Sequence, residues 1–96
     1  MVELTLSAPG KYPLRPIVEA ALANELRVLN AGIQKTRQRL KIFETRYQWS
    51  TDEFLHRYEQ DELDETLDFA EWIGEYRLLN RLQEKAETLQ GVRFAN

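Results

Sequence analysis

The chain has no cysteine and only one histidine, His56, in 96 residues. Without thiols there is no disulfide framework, no thiolate zinc site and no cysteine nucleophile, and one imidazole leaves little for general acid–base chemistry near neutral pH. Proline and glycine are scarce, with three and four copies. They form no glycine-rich phosphate loop, and no serine, histidine and aspartate set can be assembled for nucleophilic catalysis. The reading is a non-enzymatic protein with no cofactor. No run of about 18 apolar residues occurs and no basic leader precedes an apolar stretch, so the expectation is a cytoplasmic chain with no membrane contact. What is present, 43% hydrophobic and 30% charged residues, is the balance of one folded domain over 1–96.

The formal net charge of −3 argues against broad nucleic-acid affinity, because backbone phosphates must be met by an excess of Lys and Arg. The charge is also blocked by region. Lys35, Arg37, Arg39, Lys41 and Arg46 face one acid, Glu44, over 35–46, whereas EQDELDETLDFAEW, residues 59–72, places seven carboxylates in fourteen positions with no base. On a helix, residues two apart point away from each other, so the basic side chains read as flanks of a packed seam rather than as a phosphate-gripping patch.

Periodicity supplies the backbone. Leu22, Leu26, Leu29, Ile33, Thr36, Leu40, Phe43 and Tyr47 follow at alternating spacings of four and three, an a/d seam. With Pro16 suited to a first helical turn, the helix is predicted over about 16–47, roughly 48 Å at 1.5 Å per residue. A second helix is predicted over about 64–90. Its apolar positions are Phe69, Trp72, Ile73, Tyr76, Leu79, Leu82, Ala86 and Leu89, and Gly91 stands as a left-handed residue beyond its end. Between them, Ser50-Thr51-Asp52-Glu53 has the form of a capping box and predicts a short corner helix over about 51–60. Residues 1–15 are expected to be an extended arm, with Val2, Leu4 and Leu6 alternating as a short strand would but with no evident partner strand in the chain.

The fold class is therefore all-α, a long antiparallel helical hairpin. Sliding the seams together sets Phe43 near Trp72, Leu40 near Tyr76, Ile33 near Leu82 and Leu26 near Leu89, so that the basic block meets the acidic one and Arg39 and Lys41 flank Glu71 and Glu75. Acids in a first helical turn also favour its positive dipole end, by about 0.3–1 kcal/mol each. Val18, Ala21, Val28, Ile42, Phe69 and Ile73 lie off the seam and imply a second apolar surface. Its simplest use is a homodimer in which two hairpins form a two-fold four-helix bundle, with the arm free to cross over. Gly32 and Gly74 each sit inside a helix at a cost of about 1 kcal/mol, which close approach of another backbone would justify. Thr36 is the polar residue of the first seam, of the kind that fixes register.

Metal chemistry has two weak footholds. Glu53 and His56 have the E-x-x-H spacing of carboxylate-bridged iron bundles, but Glu53 is already used in the capping box. Asp64, Asp68, Glu71 and Glu75 fall at helical spacing, which is equally ordinary for a solvated helix face. No metal is expected.

The stretch DFAEWIGEYRLLNRLQEK, residues 68–85, preceded by RLKIFETRY at 39–47, resembles a group of small uncharacterised prokaryotic helical-hairpin proteins that are similar in size and setting to antitoxins of toxin–antitoxin operons. The resemblance carries no catalytic residue and no helix-turn-helix or ribbon-helix-helix reader. It implies a protein–protein interaction module that neutralises a basic partner. In that reading Phe69, Trp72 and Tyr76 are the central anchors, and Asp61, Asp64, Asp68 and Glu71 form a rim that steers encounter. The competing expectation is a self-associating coiled-coil scaffold with no dedicated partner.

Overall fold

The computed structural model describes residues 2–10 and 12–95. The order is β1 (Val2–Leu4), α1 (Leu14–Tyr47), α2 (Thr51–Glu59), α3 (Leu67–Gln90) and β2 (Val92–Phe94). α1 and α3 pack along their lengths as a hairpin of 60 × 21 × 17 Å, with α2 across the corner.

Local sequence sets each element end. α1 starts after Pro13 in extended backbone and keeps Pro16 within its first turn, where the missing N–H loses no helical bond. It stops at Gln48, which takes a left-handed conformation (φ 58°) while its Nε2 donates to the Thr45 carbonyl at 2.6 Å. Ser50 Oγ then accepts the Glu53 N–H at 3.0 Å and starts α2. This is half of the expected capping box, because the Glu53 carboxylate accepts from Arg57 Nε at 2.9 Å instead. α3 begins at Leu67, later than expected at 64, because Thr66 is its cap and accepts the Phe69 N–H at 3.2 Å. Only Asp68 therefore stands in the first turn of α3. Gly91 ends the helix at φ −84°, ψ 0°. That is not the left-handed conformation expected of it.

The arm does have a strand partner. β1 runs parallel to β2 with Val2 beside Val92 and Leu4 beside Phe94, and the Ala95 N–H donates to the Leu4 carbonyl at 2.8 Å. The Arg15 guanidinium lies 5.2 Å from the Phe94 ring centre and links this pair to the start of α1.

The core has two parts. Near the corner, Leu40, Phe43, Phe54, Phe69, Trp72 and Ile73 are buried together, while Leu29, Ile33 and Ala86 are buried near the open end. Leu79 packs against both clusters. The fully buried Thr36 donates its hydroxyl to the Gly32 carbonyl at 2.8 Å and accepts from Arg39 at 3.2 Å, so its polar atom is satisfied within its own helix.

The seams slide as expected at both ends. The Phe43 and Trp72 rings stack at 5.6 Å, and a Cβ on Gly32 would meet Leu82 Cδ1 at 3.4 Å. This is an ordinary contact with a side chain, not the close approach of another backbone expected at Gly32. Beyond its chain neighbours and its own helix backbone, no atom of the described residues lies within 4 Å of where a Gly74 Cβ would be.

Candidate functional site

The corner is assembled around Trp72. Its ring is fully buried, lies parallel to that of Phe54 at 4.0 Å, and donates its indole N–H to Thr51 Oγ1 at 3.1 Å. A buried indole N–H without a partner would forfeit about 1–3 kcal/mol, so Thr51 fixes how α2 lies on the hairpin. Tyr47, Trp49 and Phe69 extend the aromatic set, and the Arg57 guanidinium covers Trp49 at 4.7 Å.

Two ionic ties join the long helices. Arg39 Nε lies 2.8 Å from Glu75 Oε2, a buried atom to which no hydrogen bond is aligned. Asp68 Oδ2 accepts from both the Tyr47 hydroxyl and Arg46 Nη1, each at 2.7 Å. The Tyr47 bond, then the Arg46 bond, holds the Asp68 carboxyl below its ordinary range, and the same contacts raise Tyr47 and Arg46. Of the expected set, Arg39 does flank Glu75; Lys41 and Glu71 make no ion pair among the described residues.

Beyond α2 the chain turns at Asp61, whose φ of 54° is a conformation that Asp tolerates better than most residues. The Asp61 and Glu62 N–H groups donate back to the Tyr58 and Arg57 carbonyls, both at 3.1 Å. Leu63 packs on the corner core, while Glu59, Asp61, Glu62, Asp64 and Glu65 around it are exposed and without an ion pair among the described residues. Beside them a groove of about 410 Å³ is lined by Tyr58, Glu65, Thr66, Leu67, Phe69 and Ala70. Leu67, at 75% exposure, is an apolar side chain left at its rim.

No family model matches the chain, and no curated protein or solved structure matches it.

The expected anchors are largely spent inside the molecule. Phe69 and Trp72 belong to the chain's own core, and Tyr76 is half-buried against it. Trp72 presents no surface to a partner, and Phe69 contributes only to the groove lining. Asp68 is committed to Tyr47 and Arg46. Asp61, Asp64 and Glu71 remain exposed. The seam residues Leu22, Leu26, Leu79, Leu82 and Leu89 are half-buried along the hairpin, where Leu29, Ile33, Leu40 and Phe43 are fully buried. Tyr12, just before α1, is 82% exposed.

Sequence reasoning missed Leu67 and Tyr58 as groove residues. The available signal was Leu67 directly after the Thr66 cap, two residues ahead of the buried stripe that starts at Phe69. Among the described residues, no group of three or more His, Asp or Glu side chains is placed to hold a metal ion.

Proposed function

We propose that the protein is a non-enzymatic interaction module, acting in the cytoplasm, that docks a basic partner protein on the hairpin tip. The observation that carries this reading is the juxtaposition at the corner. Five exposed carboxylates, without an ion pair among the described residues, follow one another over 59–65, and the last of them, Glu65, lines a groove whose rim residue Leu67 is left in water. Clustered charge of one sign raises the encounter rate with an oppositely charged surface. An apolar contact in a groove then slows dissociation, since a few desolvated side chains hold most of an interface's energy. The occupant is a basic surface that also offers an apolar side chain. The resemblance of residues 68–85 to antitoxin-like hairpins gives that partner a form, the basic RNA-facing surface of a toxin.

The test is to replace Asp61 and Asp64 with Asn and Glu62 and Glu65 with Gln, and to measure association with the partner at two salt concentrations. The reading expects a slower association rate and a flatter salt dependence at nearly unchanged helicity. An unchanged rate and salt dependence would refute it. A second reading, a self-associating coiled-coil scaffold that forms a homodimer, is favoured by the exposed Val28 and Ile42 on α1, at 57% and 56%.

A further inference from the structure

The two long faces of the hairpin are unlike. On one, Thr51 of α2 reaches the side of α1 at Glu44 and closes over Trp72. On the other, two open grooves follow one another along the α1–α3 seam. The first, about 380 Å³, is lined by Arg39, Ile42, Phe43, Glu71, Gly74 and Glu75. The second, about 520 Å³, is lined on α3 by Arg81, Lys85, Thr88 and Leu89 among others.

We propose that this open face seats a second copy of the chain, antiparallel, about a two-fold axis that crosses α3 at Leu78. The proposal gives the self-association reading a face and a register, and it is independent of the tip.

Three observations carry it. The chain exposes 7236 Å², whereas a compact chain of 11.4 kDa exposes about 5,800 Å². Its radius of gyration of 19.1 Å likewise exceeds the ~12.5 Å of a compact chain of this length. A standard interface, with about 800 Å² buried on each partner, would be drawn from this excess.

The charges on α3 are also self-complementary. Glu71 and Lys85 lie seven residues either side of Leu78, and Glu75 and Arg81 lie three either side. An antiparallel copy therefore sets the exposed Glu71 against Lys85, and brings Arg81 beside Glu75, which already pairs with Arg39 in its own chain. Within one chain Glu71 and Lys85 are about 21 Å apart along the helix and cannot meet.

The same axis brings Gly74 opposite Leu82 of the second copy, four residues either side of Leu78. Gly74 is exposed, and among the described residues no side chain occupies the space of its missing one. Leu82 is half-buried against the open-end core of its own hairpin, and the side it leaves exposed is what it offers to that space. Ile42, exposed at the adjoining groove, is covered by the same docking.

The experiment is sedimentation equilibrium of the full chain with Glu71→Lys, Lys85→Glu and the double variant. Helicity by circular dichroism serves as the control for folding. The wild type is expected at twice the chain mass. Each single reversal should weaken dimerisation by about tenfold, since it turns two attractions into repulsions, and the double reversal should restore it. Because the chain has no cysteine, Leu78→Cys gives a second reading. A residue on the axis meets its own copy and should form a covalent dimer on oxidation, while Asn80→Cys, turned across α3, should not. A monomeric wild type, single reversals without effect, a double reversal as weak as the singles, or equal cross-linking at 78 and 80 would each overturn the proposal.

Discussion

Asp68 shows how one carboxylate can couple elements that the hydrophobic pattern alone would only bring near each other. It sits at the start of α3 and accepts hydrogen bonds from Tyr47 and Arg46 at the end of α1. Its pKa is lowered in the folded chain from the ordinary value of 3.8. The native state therefore favours the charged form, and the resulting stability is fully present above that ordinary value. It is lost as pH falls through it and on through the depressed one. Asp68→Asn should accordingly lower the melting temperature at neutral pH and approach wild type at strongly acid pH, as thermal unfolding across the acid range would show. The Tyr47 side has the opposite sense: its contribution is present below the ordinary phenol value of 10.0 and is lost as pH rises through the raised one. At this scale the sequence was a partial guide. The pairing of Arg39 with Glu75 followed from sliding two seams, whereas the Tyr47–Asp68 bond depends on where α3 starts, and that start is set by Thr66 rather than by the acids before it.

Among the elements, the long helices were legible because a 4–3 alternation sustained over many turns admits no other backbone. The corner helix was legible from Ser50 and Glu53. β2 was not, since Val92-Arg93-Phe94 is too short to show a period and becomes a strand only because β1 lies beside it. The two helical glycines separate what a helix prefers from what its neighbours allow. Gly74→Ala adds a methyl group that meets nothing in its own chain, so it should stabilise the separated chain by about 0.5–1 kcal/mol through helix propensity. Gly32→Ala should gain at least as much, because its methyl group would also make an ordinary van der Waals contact with Leu82 Cδ1 at 3.4 Å. Urea unfolding of both variants at low protein concentration checks the order, and a loss of stability at Gly32 would contradict it.

The whole molecule is one hairpin thick, with a core divided between corner and open end and no described helix long and apolar enough to cross a membrane. Its surface divides into an acidic tip and a grooved long face. The tip was visible in the sequence as a run of carboxylates. The aromatic residues expected to anchor a partner there are used to close the corner: Trp72 serves the core from the seam, and Phe69, placed off the seam by its spacing, is buried beside it. What the tip leaves exposed for the proposed partner is Leu67 and the groove beside it. The most direct test is a pull-down of the tagged chain from its native host at low and at moderate salt, with mass spectrometry, comparing wild type with the chain neutralised at Asp61, Glu62, Asp64 and Glu65. One basic protein recovered in stoichiometric amount with the wild type and lost with the neutralised tip is the predicted result; recovery of the chain alone, or of a partner indifferent to the tip, would contradict it.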